Sequence, residues 1–188
     1  MAFRDNMLED QHLLKQLRAA DPDALQRIYE KYLDDLLAIA VSLLSDVHAA
    51  EDCLHDVFVK LVSDTKGIKV RFNLKGYLIC CVANRARDYL RQRARKPEGL
   101  SAESGNHVEV NNPVTRLIED EEAAKLFNAI TQLPYEQREI FVLHVRGGMR
   151  FPRIADFLGI SVNTVRSRYR YAIEKLQALL QRKNDYEI

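Results

Sequence analysis

The sequence predicts an all-α protein in which two small helical domains are joined by a flexible linker, with a helix-turn-helix in the C-terminal domain. Only seven Gly and five Pro occur among the 188 residues, which favours long uninterrupted helices. Apolar side chains also recur at helical spacing through most of the chain. The exception is the stretch 96–113, which therefore separates a domain at 1–95 from a domain at 114–188.

The first domain is predicted to contain three long helices. An Asp-Pro-Asp sequence at 21–23 favours a helix start, because proline is tolerated in the first helical turn, and the apolar pattern then runs to about Leu44. The polar pair at 45–46 breaks this pattern before a second helix begins. After a polar loop over 64–72, a third helix is predicted from 74 to 95. The apolar stripe of the second helix consists of Ala50, Leu54, Val57, Phe58 and Leu61.

The segment that begins at Lys96, KPEGLSAESGNHVEVNNPV, has a different composition from the rest of the chain. It is rich in Gly, Pro, Ser, Asn and Glu and lacks a helical period, so a flexible linker is expected. A helix is then predicted over 115–130. Another is predicted to begin at Leu133-Pro134 and to end at the glycine pair 147–148.

The stretch 151–180, FPRIADFLGISVNTVRSRYRYAIEKLQALL, predicts two helices joined by a tight turn. Pro152 suits the first turn of the first helix. Gly159 is expected to end that helix, because the residue after a helix often has a positive φ. Ser161 can cap the second helix by accepting a hydrogen bond from a free amide. This arrangement is typical of a helix-turn-helix, whose second helix enters the DNA major groove.

The second helix of this motif divides into an apolar face and a polar face. Arginine and asparagine on the polar face are the side chains that pair with guanine and adenine edges, and helix N-termini attract phosphate. An ordinary helical hairpin with a solvated basic face remains the alternative. The apolar face carries Val162, Val165, Tyr169, Ile173, Leu176 and Leu180, and the polar face carries Asn163, Arg166, Ser167 and Arg170.

Charge is segregated along the chain although the net charge is only +1. Acidic residues concentrate over 21–64 and basic residues over 85–96, RARDYLRQRARK, which suggests two surfaces with different partners. The helix at 74–95 bears Asn84 on its basic side, a pattern that suits a nucleic-acid backbone plus one base. Tyr77 near its start could stack on an unpaired base or pack in the core.

Composition also indicates the cellular compartment and whether the protein could be an enzyme. Three Cys make no disulfide framework, the start MAFRDNMLED is no signal peptide, and no stretch approaches the roughly 20 apolar residues of a membrane span. A cytoplasmic location is expected. Asp52, His55 and Asp56 could ligate a metal from one helix, but the other histidines offer no matching motif on a second helix. We therefore expect no enzyme, no metal and no cofactor.

Three segments, in this order, resemble bacterial sigma factors of the extracytoplasmic-function group. AAEDCLHDVFVKLV at 49–62 is similar to that family's polymerase-binding helix, and LKGYLICCVANRARDYLRQRAR at 74–95 to its promoter-melting helix. LPYEQREIFVLHVRGGMRFPRIADFLGISVNTVRSR at 133–168 is similar to its second promoter-binding domain. A stand-alone helix-turn-helix regulator is the alternative, and it would leave the acidic and basic helices upstream unexplained.

The resemblance implies three binding surfaces. The first would dock on the β′ subunit of core RNA polymerase and consists of Glu51, Asp52, Asp56 and Phe58. The second would open the −10 element and capture a flipped base, and consists of Tyr77, Asn84, Arg87 and Arg91 with the loop 64–73. The third would read the −35 duplex and consists of Asn163, Thr164, Arg166, Ser167, Arg168 and Arg170.

The resemblance also implies partners: core RNA polymerase through its β′ and β subunits, promoter DNA and, as a further candidate, an anti-sigma factor. Membrane insertion is not expected. Three features depart from the family's pattern: Tyr77 stands where a tryptophan is common, the Pro152-Arg153 pair where an acidic residue is usual, and Tyr171 where an arginine is common. These changes leave the −35 sequence unpredicted.

Overall fold

A computed structural model describes residues 2–63, 74–95 and 121–184, and these residues are helical with no strand. The all-α prediction is confirmed for this part of the chain. The predicted loop at 64–72, the linker at 96–113 and the helix start at 115–120 lie outside the described residues. The helices are α1 (Ala2–Arg18), α2 (Pro22–Leu44), α3 (Val47–Ser63), α4 (Leu74–Arg95), α5 (Glu121–Thr131), α6 (Tyr135–Val145), α7 (Phe151–Leu158) and α8 (Val162–Asn184).

The first half of the molecule, α1 to α4, packs around α2. This helix contacts α1, α3 and α4, and its central residues Ile28, Leu36 and Ile39 are fully buried. It begins as predicted, since the Asp21 carboxylate accepts a hydrogen bond from the Asp23 amide at 3.1 Å. It ends at Ser45, which has a left-handed φ of 57°. A capped start and a left-handed end explain why the sequence bounds of α2 match the structure.

A buried carboxylate, Asp10, fastens α1 to the rest of the first half. Asp10 is 3% exposed, and its Oδ1 accepts hydrogen bonds from the Tyr32 hydroxyl and, at 2.9 Å, from Lys31 Nζ. Its Oδ2 accepts the Leu74 amide at 3.2 Å, across 64 residues of sequence. The first amides of a helix have no partner within the helix, so Asp10 caps α4 from a distance.

The second half, α5 to α8, is a smaller helical unit with its own buried residues. Ile140, Ile154 and Val165 are fully buried and come from α6, α7 and α8. The predicted apolar stripe of α8 is confirmed in outline, with Ala172 as a buried position that the sequence pattern missed. In that stripe Val165 and Leu176 are buried, whereas Val162, Tyr169, Ile173 and Leu180 are partly buried.

The two halves pack directly against each other. Helix α2 contacts α5 and α6, and α4 contacts α6, so the buried apolar residues of both halves form one continuous cluster. Arg138 of α6 donates hydrogen bonds to the Ser42 carbonyl at 3.0 Å and to Ser45 Oγ at 2.8 Å. The sequence predicted two tethered domains, and no pattern in it indicated this contact.

Candidate nucleic-acid interface

The turn between α7 and α8 has the geometry that the sequence predicted. Gly159 ends α7 with a φ of 67°. A Cβ on this residue would meet nothing within 4 Å, so the left-handed backbone, and not lack of space, explains the glycine. Ser161 then caps α8, because its Oγ accepts the Thr164 amide at 3.0 Å. These two local signals fix where α8 starts and which residues reach outward from its first turns.

The turn between α6 and α7, which leads into this motif, is also restricted by its local contacts. A Cβ on Gly147 would lie 2.4 Å from the Leu143 carbonyl oxygen, so only glycine fits where the chain leaves α6. His144 Nδ1 hydrogen-bonds the Met149 carbonyl across this turn at 2.7 Å. The His144 ring also lies 4.5 Å from Phe151 and 5.0 Å from Tyr169, centroid to centroid. This aromatic cluster joins α6, α7 and α8 into one rigid support.

The six predicted −35 residues of α8 fall into two groups. Asn163, Arg166 and Arg170 are exposed, whereas the other three, Thr164, Ser167 and Arg168, are partly buried. The Thr164 hydroxyl lies 2.8 Å from that of Ser161, and Ser167 Oγ donates to the Thr164 carbonyl at 3.0 Å. The hydroxyls of this helix start therefore serve the helix itself, and the exposed group is better placed to contact a ligand.

The exposed Arg170 is flanked by two neighbours on α8. Its guanidinium lies 5.1 Å from the centroid of the Tyr171 ring, and its Nε is 3.7 Å from Glu174 Oε1. An aromatic ring and a carboxylate together restrict where a guanidinium points. Tyr171, half exposed, thus belongs to the outward face of α8, although only its departure from the family's pattern drew attention to it.

The cap of α8 gives a first prediction. We expect Ser161→Ala to destabilise the protein by about 1 kcal/mol, the usual cost of removing a serine cap. Urea unfolding followed by circular dichroism measures this cost. Ser63→Ala is a matched control, because Ser63 Oγ donates to Lys60 at the exposed end of α3, and we expect it to change stability by less than about 0.5 kcal/mol. Equal effects of the two changes would contradict the cap.

Two of the predicted −10 residues on α4 are accessible. Asn84 and Arg91 are exposed and lie two helical turns apart, on the same side of the helix. Arg91 Nη1 is 3.6 Å from Asp88 Oδ1, an exposed pair of little energetic weight. Tyr77 is partly buried. Burial raises the pKa of the nearby Cys81 thiol, and a hydrogen bond with Tyr77 opposes that rise.

The remaining predicted −10 residue, Arg87, forms an ion pair with a side chain of the second half. Its Nε and Nη2 donate to Glu139 Oε1 at 3.1 and 3.0 Å, and Tyr135 donates to the same oxygen at 3.2 Å. Glu139 is 4% exposed. Burial raises the pKa of Glu139, and the charge and hydrogen bonds of Arg87 oppose that rise. No sequence pattern indicated this pair, whose members are 52 residues apart.

The predicted polymerase-binding residues on α3 differ in exposure. Glu51, Asp52 and Asp56 are exposed, but Asp56 Oδ2 accepts a hydrogen bond from Arg85 Nε at 2.6 Å. Phe58 is buried, with its ring centroid 4.9 Å from that of Tyr29. The apolar side chains exposed nearby are Tyr29, Val59 and Val62, which the sequence pattern did not single out.

The cysteines have the environment of packing residues. Burial raises the pKa of Cys53 to about 12 and that of Cys80 to about 11. Within residues 2–63, 74–95 and 121–184, no group of three or more His, Cys, Asp or Glu side chains could hold a metal ion. The helices of that part include none with the length and apolar character needed to cross a membrane.

Two protein-family models match the chain in sequential order. The model described as Sigma-70 region 2 matches residues 28–96, and the model described as Sigma-70, region 4 matches residues 123–176. Together they cover well over half of the chain. The first match contains α3 and α4, and the second contains the helix-turn-helix.

Curated relatives match over most or nearly all of their length. The RNA polymerase sigma-H factor of Pseudomonas aeruginosa is 26% identical, with 92% of this chain and 94% of that protein covered. The ECF RNA polymerase sigma-E factor of Escherichia coli K12 is 26% identical, with 93% and 98% covered. The ECF sigma factor EcfG of Rhodopseudomonas palustris is 28% identical, with 77% and 78% covered.

Solved structures share the fold. CnrH, solved with the cytosolic domain of CnrY, has a TM-score of 0.63 at 25% identity, with 92% of this chain and 97% of that chain covered. The sigma factor RpoE of Bartonella quintana, solved with the anti-sigma factor NepR, has a TM-score of 0.63 at 23% identity, with 83% and 96% covered. With both region models matched in order, this chain belongs to the sigma-70 family of RNA polymerase sigma factors, in its extracytoplasmic-function group.

Proposed function

We propose that this protein binds core RNA polymerase in the cytoplasm and directs promoter-specific initiation of transcription, with α4 opening the −10 element and α8 reading the −35 element. One observation carries the proposal: two separate polar helix faces, one on α4 with Asn84 and Arg91 exposed and one on α8 with Asn163, Arg166 and Arg170 exposed, lie in regions matched by the two sigma-70 models. A regulator built on the helix-turn-helix alone has no use for the first face.

At the −35 element, α8 would enter the major groove with its capped start. Amides at a helix N-terminus and arginine side chains bind phosphates and set the register, and base contacts then select the sequence. Arg166 and Arg170 are one turn apart and exposed, so they can reach neighbouring base pairs. Asn163 in the first turn can pair with an adenine edge.

At the −10 element, α4 would hold DNA that is already partly unpaired. Extruding a base costs a few kcal/mol of stacking and pairing, which contacts to the displaced base and to the backbone must offset. Asn84 offers an amide for a base edge, and Arg91 offers a charge for the backbone. The loop 64–73, which the sequence analysis also assigned to the −10 element, lies outside the described residues.

The polymerase would bind the exposed side of α3. Glu51 and Asp52 supply negative charge there, and Val59 and Val62 supply exposed apolar area, a combination that suits a basic partner with an apolar seam. Because Asp56 is paired with Arg85 and Phe58 is buried, we give these two a supporting role in that surface.

Reversing the charge of this surface tests the docking. We expect Glu51→Arg combined with Asp52→Arg to weaken binding to core polymerase at least tenfold, about 1.4 kcal/mol, with unchanged helix content. Pull-down with purified core polymerase and no DNA measures the loss. The matched control is Glu121→Arg with Glu122→Arg, the same charge change on exposed neighbours of α5. Equal binding by the native chain and the α3 variant would refute this docking surface.

The function as a whole is tested by run-off transcription with core polymerase and fragmented genomic DNA from the source organism. We expect the protein to bind core polymerase without DNA and to produce discrete transcripts that core polymerase alone does not make. A protein that binds duplex DNA but neither binds core polymerase nor supports initiation would instead be a conventional regulator.

A further inference from the structure

An ion pair joins the helix of the proposed polymerase-binding surface to the helix of the proposed −10 surface. Arg85 of α4 donates from Nε to Asp56 Oδ2 of α3 at 2.6 Å, and its Nη2 contacts the same oxygen. We propose that Arg85 is a further nucleic-acid-binding residue, which Asp56 holds until a basic side chain of core polymerase replaces it at Asp56. This inference rests on the proposed function and refines it.

Arg85 lies at the edge of the −10 surface on α4. It follows Asn84 directly in sequence, and Asp88, three residues further along, is its neighbour on the helix surface. Asn84 and Asp88 are exposed, whereas Arg85 is partly buried. Successive residues are turned by roughly 100° around a helix axis, so a long arginine side chain at this position can reach either α3 or the exposed side of α4. In the structure it reaches α3.

The two helices are held together beneath this ion pair by a buried contact. Cys53 and Val82 precede Asp56 and Arg85, respectively, by three residues, which is about one helical turn. Cys53 Sγ lies 3.7 Å from the Val82 carbonyl oxygen, and both residues are buried. The packing of α3 on α4 therefore does not depend on the ion pair, and Arg85 can leave Asp56 by a movement of side chains alone.

The ion pair is accessible to other charged groups. The side chains of Arg85 and Asp56 are 37% and 46% exposed, and an ion pair in contact with water contributes little to stability. A DNA phosphate offers Arg85 the same kind of paired acceptor as a carboxylate does. A basic side chain of polymerase offers Asp56 another cation. When both partners are bound, each member of the pair has exchanged one opposite charge for another.

This exchange makes the two partners cooperative. Polymerase bound at Asp56 leaves Arg85 available to nucleic acid, and nucleic acid bound at Arg85 leaves Asp56 available to polymerase. Because coupling between two binding sites is reciprocal, each partner strengthens the other by the same factor. The small net energy of a surface ion pair limits that factor to about two- to fivefold. The acidic and basic helices of the first half are thereby coupled through a single side-chain contact.

The nucleic-acid side of the exchange is tested without polymerase, using fluorescein-labelled dT20 and anisotropy at low salt. Asp56→Asn releases Arg85 and should bind dT20 about two- to fivefold more tightly than the native chain, with the same helix content by circular dichroism. Asp52→Asn is the matched control, since it makes the same charge change at an exposed position of α3, and it should gain less.

Combining Asp56→Asn with Arg85→Gln should remove the gain. Native affinity in Asp56→Asn, equal gains in the two aspartate variants, or a gain that persists after Arg85→Gln would each show that Asp56 does not hold a nucleic-acid-binding arginine.

The polymerase side is tested without DNA, by titrating labelled protein with core polymerase. Arg85→Gln leaves Asp56 available and should bind polymerase about two- to fivefold more tightly than the native chain. Arg91→Gln is the control, because it makes the same charge change on α4 at an exposed residue whose ion pair is with Asp88, and it should gain less. The gain should be absent when Arg85→Gln is combined with Asp56→Asn. Unchanged or weaker binding by Arg85→Gln would refute the exchange.

Run-off transcription separates this inference from the proposed function. If the protein supports initiation but the effects of Asp56→Asn and Arg85→Gln are additive in both titrations, the exchange is wrong and the proposed function stands. If the dT20 results hold but the protein neither binds polymerase nor supports initiation, the proposed function and the polymerase side of the exchange are both wrong. Arg85 would then remain a nucleic-acid-binding residue that Asp56 holds.

Discussion

Replacing Asp10 by Ala is expected to cost the first half about 3 kcal/mol or more, the loss that follows when one member of a buried ion pair is removed. The change would leave Lys31 beside a void and would strip the Tyr32 hydroxyl and the Leu74 amide of their acceptor. An unsatisfied buried donor costs about 1–3 kcal/mol by itself. Because Leu74 begins α4, the damage would reach the helix that carries the proposed −10 surface.

The neighbouring Glu9 provides the control for this prediction. Glu9 Oε2 also accepts a hydrogen bond from Lys31 Nζ at 2.8 Å, but its side chain is half exposed. Glu9→Ala should therefore cost less than about 1 kcal/mol, as exposed ion pairs do. Urea unfolding of both variants gives the comparison. If both changes cost the same, Asp10 does not fasten α1 to α4.

The second large effect is expected at the outward face of α8. Arg166→Ala with Arg170→Ala should weaken binding to a duplex carrying the −35 element, mapped from the run-off transcripts, by about 1–3 kcal/mol for each arginine that pairs with a base. If either arginine binds phosphate instead, affinity falls for every sequence and the slope of log K against log salt becomes shallower by about 0.9 per phosphate. Anisotropy titrations at several salt concentrations separate these two outcomes.

Lys175 is the control for this surface. It is exposed on the same helix, farther from the capped start, so Lys175→Ala should change duplex affinity much less than the double arginine variant. Native affinity and salt dependence in the arginine variant would show that α8 does not read the duplex. Glu174→Ala adds a further readout, because Glu174 lies beside Arg170 and its removal should alter sequence preference more than overall affinity.

The sequence predicted those features of the fold that depend on residues close together in the chain. The bounds of α4 follow from its apolar period, and Gly159 and Ser161 mark the helix-turn-helix because caps and left-handed ends depend on near neighbours. Helix α1 was not predicted. It is held in place by Asp10, which accepts hydrogen bonds from residues 22 and 64 positions away in the sequence. A periodic pattern of apolar residues does not indicate a hydrogen bond between residues so far apart in sequence.

The sequence indicates candidate binding residues by their type, but it does not show which of them are accessible. Arg87 and Arg91 look equivalent in sequence, yet Glu139 binds one and leaves the other exposed. The family resemblance assigns Phe58 to the docking surface although it also belongs to the apolar stripe of α3; Tyr29 packs on it, and the outward apolar positions are its neighbours Val59 and Val62. Exposure depends on which helices pack together, and a sequence period shows only which face of a helix is apolar.

The end of α2 has a consequence for how the two halves can be studied. The last carbonyls of a helix lack hydrogen-bond donors within that helix. At the end of α2, the Ser42 carbonyl accepts a hydrogen bond from Arg138, which lies 96 residues away in the other half. A fragment that stops at residue 95 would lack this donor, and water would replace it. Its α2 would then fray differently from α2 of the whole chain. Amide signals of residues 41–45 should therefore distinguish the fragment from the intact protein.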